Sequence, residues 1–145
     1  CGKTTLLRLI SRLEKPTRGV ILQNIDDKFG QKSKQSKKWY KKVGVVYQNP
    51  DYQLFMQTVE KEIKFGAKSD EYADEIAEKF GIKHLYARHP QSLSEGQKRR
   101  VSIAAVVATD PEVLILDEPT VGQDYKGLCE MVEVLNKLHE EAHNR

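Results

Sequence analysis

Cysteine is scarce in this chain: only Cys1 and Cys129, far apart and without metal-ligand spacing. A disulfide framework is therefore not what holds the fold, and this usage suits a reducing compartment. Long apolar runs are missing as well. No stretch approaches the roughly 20 residues needed to cross a bilayer, so any service to a membrane is expected from a soluble subunit. No leader segment is read, because the chain opens on Cys1-Gly2-Lys3. Charge of one sign is lacking too: 24 Lys and Arg face 21 Asp and Glu, a net charge of +3. That balance gives no electrostatic reason to expect a nucleic-acid partner. Internal repeats are absent, and the one biased stretch is lysine-rich, from Asp26 to Lys42. What remains is 145 residues, enough for one domain with a sizeable core.

Periodicity orders the chain. Leu6, Leu7, Ile10 and Leu13 stand at helical spacing from Thr4 to about Leu13, and Lys15-Pro16-Thr17-Arg18-Gly19 ends that helix. Val20 to Ile25 alternates as a half-buried strand, and a loop with a short amphipathic helix is expected over Asp26 to Lys42. Val43 to Tyr47 reads as a buried strand. Gln48-Asn49-Pro50-Asp51 breaks the pattern. Helices follow over Thr58 to about Gly66 and Asp70 to Phe80, the second ended by Gly81. Ser94 is an N-cap with Gln97 at the capping-box position, for a helix to about Thr109. Val113 to Leu116 is expected as a fully buried strand. A last helix from about Asp124 to Ala142 is expected to bury Leu128, Met131, Val132, Leu135 and Leu138.

Three short stretches carry chemistry. Gly2-Lys3-Thr4 matches the end of G-x-x-x-x-G-K-[ST], where backbone amides at a helix start converge on an anion. Lys3 would set a cation against the outer phosphates and Thr4 would ligate magnesium; the bland alternative is a capped helix start. The upstream half of that loop is absent, and the last helix stops at His143-Asn144-Arg145. The chain is therefore read as an internal segment of a longer domain. Asp117 follows four apolar residues, at the carboxyl tip of a parallel strand, where open α/β sheets bind ligands. It can hold magnesium, while Glu118 beside it can act as general base on a water. Ser94-Glu95-Gly96-Gln97 is a second helix start suited to an anion. One phosphate loop already serves one nucleotide, so the second helix end is best explained by a nucleotide held on another subunit.

In this combination the chain resembles the ATP-binding-cassette (ABC) ATPases over nearly its whole length. Gly2, Lys3, Thr4 and Thr5 look like the end of Walker A, and Gln48 like the Q-loop glutamine. Leu93 to Gln97 resembles the signature motif, Val113 to Asp117 resembles Walker B, and Val121 to Asp124 stands at the D-loop. The resemblance implies an α/β P-loop NTPase fold, incomplete at both termini. Residues 1–50 and 111–145 would belong to the ATPase core and 51–110 to a helical subdomain. It implies ATP and Mg2+ as cofactors, with Thr4, Gln48 and Asp117 at the metal and Glu118 and Gln48 catalytic. Gly2, Lys3, Thr4 and Thr5 would bind the nucleotide in cis; Ser94, Gly96, Gln97 and Asp124 would face the nucleotide of a second ATPase subunit. Transmembrane subunits would dock beside Gln48, with the protein peripheral on the cytoplasmic face of the membrane.

Tyr47 to Phe55, Thr58-Val59, Phe65-Gly66 and Gly122-Gln123-Asp124 are similar to the ATPases of energy-coupling-factor importers. That group takes up vitamins, their precursors, or cobalt and nickel ions. Glu95 departs from the commoner glycine of the signature, and the stretch from Phe65 to Leu93 is short for the family. A soluble cassette ATPase working on nucleic acid or ribosomes is the rival reading, and an inactive truncated remnant a third. His139 and His143 are taken as ordinary surface residues, His84 and His89 have no obvious catalytic neighbour, and the lysines around Trp39 and Tyr40 are read as a solvated face.

Overall fold

Two short apolar runs meet side by side. Val43–Val46 (β1) and Val113–Leu116 (β2) pair in parallel, in register from Val43 opposite Val113 to Val46 opposite Leu116. The computed structural model describes residues 2–19, 21, 42–118 and 125–143. Successive side chains of a strand point to opposite faces, so each strand is shared between two clusters. Val43, Val45, Val113 and Ile115 meet Leu7 and Ile10 on one face, while Val46, Leu114 and Leu116 join the main core on the other. Helices on both faces of a parallel pair are the α/β arrangement expected from the order of elements.

The first helix is α1 (Lys3–Ile10). It ends before Leu13, because Arg12 takes a left-handed backbone (φ 60) that a helix cannot continue through. Leu13 is exposed as a result; Leu6, inside the helix, is exposed on its outer face, and only Leu7 and Ile10 of α1 reach the sheet. Between the strands lie α2 (Val59–Lys64), α3 (Asp70–Lys79) and α4 (Glu95–Ala108), and α5 (Tyr125–His143) follows β2. Each of the three inner helices starts on a hydroxyl that accepts a backbone N–H: Thr58 from Lys61, Ser69 from Tyr72 and Ser94 from Gln97. Gly81 closes α3 with φ +65, a conformation glycine adopts without a Cβ clash.

The core centres on α4, which packs against α2, α3 and β1. Val101, Ile103, Ala104, Val107 and Ala108 are buried, and so are Lys98, Arg99 and Ser102 on the same helix. Ile63 of α2 and Ile76 of α3 are fully buried against it; each such side chain contributes about 1.5–3 kcal/mol. Helix α5 adds Met131, with Leu128, Leu135 and Leu138 packed against the core. It is further tied down by Arg100–Glu130 (3.0 Å) and Lys79–Glu141 (2.6 Å).

Three expectations are corrected. Val132 is 45% exposed, because it falls outside the stripe formed by residues 128, 131, 135 and 138. Of the four β2 residues only Ile115 is buried; among the described residues β2 pairs with β1 alone, so its other edge carries no strand. The first helix is shorter than its periodicity suggested. Apart from Ile21 and Lys42, the expected strand at 20–25 and the lysine-rich stretch lie outside the described residues, as do Cys1 and 119–124. Among the described residues no helix is long and apolar enough to cross a membrane.

Candidate functional site

Helix α1 begins directly from Gly2, whose carbonyl accepts the N–H of Leu6 at 2.9 Å. Lys3, Thr4 and Thr5 thus form its first turn, where backbone N–H groups have no partner within the helix and the dipole is positive. All three are exposed. Beyond β2, the N–H of Asp117 donates to the Val46 carbonyl at 2.9 Å, extending the ladder by one residue. That bond fixes Asp117 at the carboxyl edge of the strand pair, 8% exposed. The Thr4 hydroxyl donates to Asp117 Oδ2 at 3.3 Å.

Glu118 turns the chain. Its φ of 49 lies in the left-handed region, which costs a residue with a Cβ roughly 1–2 kcal/mol. Its carboxylate accepts from Lys3 Nζ at 3.4 Å across an exposed pair. Two adjacent acids at the strand end therefore pair with two adjacent residues of the α1 start, Thr4 with Asp117 and Lys3 with Glu118.

The segment after β1 is built largely by its own side chains. Gln53 accepts from the Tyr47 N–H and donates to the Val45 carbonyl, each at 3.0 Å, finishing the strand's hydrogen bonding. Asn49 accepts from Asp51 N at 2.9 Å and opens a 3-10 turn at Pro50–Tyr52. Gln48 is exposed, and the β1–β2 register sets it at the same sheet edge as Asp117 and Glu118. Its carbonyl and that of Tyr47 (2.6 Å) accept from Arg99 of α4, and the Glu118 carbonyl accepts from the same guanidinium at 3.3 Å. Burial lowers the pKa of Arg99. Lys98 donates to Asp51 Oδ1 at 2.8 Å and to Gln91 at 3.3 Å. Sequence reasoning missed Gln53, Lys98 and Arg99. The run of basic residues at 98–100 was the available signal, but Lys98 and Arg99 reach Asp51, Tyr47 and Gln48 some 50 residues away.

Ser94 and Gln97 satisfy each other at the start of α4: Ser94 Oγ accepts from Gln97 N at 3.3 Å, and Gln97 Oε1 accepts from Ser94 N at 3.1 Å. Ser94 is exposed, and Gly96 and Gln97 are half-buried. Glu95, the departure from glycine, lies 3.4 Å from Lys98 Nζ with its side chain 65% exposed. His89 caps a 3-10 turn, its Nδ1 accepting from Gln91 N at 3.2 Å. Asp124 lies outside the described residues.

The family model described as "ABC transporter" matches residues 1–121. The chain belongs to the ABC transporter family. Its fold is accordingly the α/β P-loop fold of the ABC ATPases. The energy-coupling factor transporter ATP-binding protein EcfA2 of Enterococcus faecalis is 46% identical over 159 residues, covering 99% of this chain and 53% of that protein. EcfA2 of Bacillus subtilis is 44% identical over 149 residues, covering 96% and 54%. The structure of cbiO1 from Clostridium perfringens, part of the ABC transporter complex cbiONQ, has a TM-score of 0.76 and 36% identity, covering 97% of this chain and 59% of that one. The ATP-binding cassette MJ0796, in a dimeric post-hydrolysis state bound to ADP and Pi, has a TM-score of 0.74 and 28% identity, covering 97% and 66%. The chain spans about half the length of the curated relatives it matches.

Members of this ABC ATPase family bind ATP, generally with Mg2+. The donor set here fits that ion. Thr4 and Asp117 offer hard oxygens, the ligands Mg2+ takes. Among the described residues no cluster of three or more His, Cys, Asp or Glu could hold a metal by itself. One or two protein oxygens completed by water and substrate phosphate is the usual way Mg2+ is held.

Proposed function

We propose that this chain is the catalytic part of an ATP-hydrolysing subunit of an energy-coupling-factor importer, for a vitamin, a vitamin precursor or a transition-metal ion. The single observation that carries the reading is the convergence of Thr4 on Asp117 and of Lys3 on Glu118 at the carboxyl edge of a parallel strand pair. Likeness to the two EcfA2 proteins supports the importer class. On this reading 1–50 and 111–145 form the ATPase core and 51–110 the helical subdomain that carries the signature.

In this mechanism Gly2, Lys3, Thr4 and Thr5 bind the phosphates, with Lys3 exchanging the Glu118 carboxylate for phosphate oxygens. Thr4, Asp117 and Gln48 would hold Mg2+, which would neutralise charge on the phosphates. Glu118, released from Lys3, is the general base that accepts a proton from the attacking water. Glu118 pairs with Lys3 and Asp117 with Thr4, so the two acids do different work. Gln48 senses the terminal phosphate. Ser94, Gly96, Gln97 and Asp124 act on the nucleotide of the second subunit in a head-to-tail dimer. The surface beside Gln48 docks transmembrane subunits on the cytoplasmic face, and no nucleic acid takes part.

The test is made on the full-length subunit. Glu118→Gln is expected to lower steady-state hydrolysis about 100-fold or more while ATP binding survives, as loss of a general base does. Unchanged hydrolysis would sink the assignment of Glu118. Co-purification with hydrophobic membrane subunits supports the importer, whereas co-sedimentation with ribosomes would replace it.

A further inference from the structure

Arg99 is 1% exposed and lies just past the first turn of α4. Its guanidinium is committed to backbone: Nη1 donates to the Tyr47 carbonyl, and Nη2 to the carbonyls of Gln48 and Glu118. One rigid planar group thus joins the helix that starts at Ser94, the beginning of the Gln48 loop, and the left-handed turn at Glu118. Lys98 holds the same loop further on, at Asp51. The loop is gripped at both ends by consecutive residues of one helix.

Packing alone does not account for this arrangement. A buried cation is held at a desolvation cost that a well-packed apolar residue avoids, and here Nε has no hydrogen-bond partner. The arrangement instead suits a mechanical link. The guanidinium fork fixes several acceptors in one plane, which a lysine ammonium, a single point of charge, cannot reproduce.

We propose that Arg99 is a positioning residue that makes the start of α4, Gln48 and Glu118 move as one unit. Seating of the Ser94 end of α4 on the partner's nucleotide is thereby transmitted to the glutamine and the general base of the same subunit. The inference rests on the ATPase reading above. Arg99 touches neither nucleotide nor metal in this scheme and acts only through the backbone of Gln48 and Glu118.

The test uses the full-length subunit in its dimer, with ATP turnover followed under steady state. Arg99→Lys is expected to lower kcat about tenfold or more while KM for ATP changes less than about threefold, the signature of a group needed after binding. Combined with Gln48→Ala, the loss should be smaller than the product of the two single losses, because both changes act on one unit. A merely structural role predicts multiplying losses. Wild-type kcat in Arg99→Lys, or losses that multiply, would overturn the proposal. Arg99→Gln serves as a second variant; if both fail to fold, Arg99 is scaffold and the proposal falls. Absence of hydrolysis in the wild-type subunit is a separate failure, which removes the ATPase reading and this inference with it.

Discussion

The Thr4 hydroxyl donates to Asp117 at 3.3 Å, joining the first turn of α1 to the end of β2 across 113 residues of sequence. A hydroxyl and a carboxylate at this separation form a pair of hard oxygen donors beside a helix start. If they hold Mg2+, then Asp117→Asn should weaken binding of ATP about tenfold or more in the presence of Mg2+ and have little effect in EDTA. Calorimetric titration of the full-length subunit with and without the ion decides this. Equal losses in both conditions would show that Asp117 acts on something other than the metal.

Ser94 caps α4 and is proposed to face a partner's phosphates, two duties that substitution can separate. Ser94→Ala removes the acceptor for Gln97 N and should cost about 1 kcal/mol of stability. Ser94→Asp keeps an equally good cap, so its melting temperature should stay near wild type. It also sets a negative charge at the end of α4 and should lower hydrolysis about tenfold or more. Thermal melts and turnover on the same samples separate the two; full activity in Ser94→Asp would remove Ser94 from the nucleotide site.

Glu62 is buried on α2, and its Oε2 accepts the N–H groups of Phe55 (2.9 Å) and Met56 (2.7 Å). Burial pushes its pKa above 4.5, only partly offset by the two backbone donors. The folded protein therefore keeps a proton that the unfolded chain has already released. Through this group, stability falls as pH rises from about 4.5 through the folded pKa, opposite to the usual carboxylate effect. Glu62→Gln retains an acceptor oxygen without the charge. Its melting temperature relative to wild type should rise with pH across that window and level off above it; a pH-independent difference would contradict this account.

Gly44 marks a close approach of β1 to the end of α4. A Cβ there would meet Val106 Cγ1 at 2.5 Å and Pro111 Cγ at 3.1 Å, a branched side chain and a ring with little room to yield. Gly44→Ala should cost about 1–3 kcal/mol by overpacking, read from denaturant unfolding. A neutral result would mean that β1 and α4 separate more readily than their contact suggests.

Local signals in the sequence are strong wherever short-range physics decides. Thr58, Ser69 and Ser94 each precede a helix and cap it, because a side-chain oxygen there meets N–H groups two or three residues on. Val43–Val46 and Val113–Leu116 are short apolar runs bounded by turn residues, and both are strands. Gly81 sits where a left-handed residue must end α3. Even the position of Asp117 at a strand tip could be read, since the apolar run stops there.

Tertiary structure decided what those elements meet. Packing of α1 through Leu7 and Ile10 onto the paired strands brings Lys3 and Thr4 to Glu118 and Asp117, a meeting that no local pattern encodes. Nothing local marks Arg99 and Lys98 for burial; folding around α4 buried them and supplied Tyr47, Gln48 and Asp51 as partners. Leu6 and Val132 show the converse, apolar residues at helical spacing that the fold leaves exposed. Capping and periodicity act over a few residues, so the sequence by itself determined the described helices and strands and most of their ends, the early stop of α1 at Ile10 excepted. Burial and long-range hydrogen bonding depend on which surfaces come together, and only the assembled fold decides that.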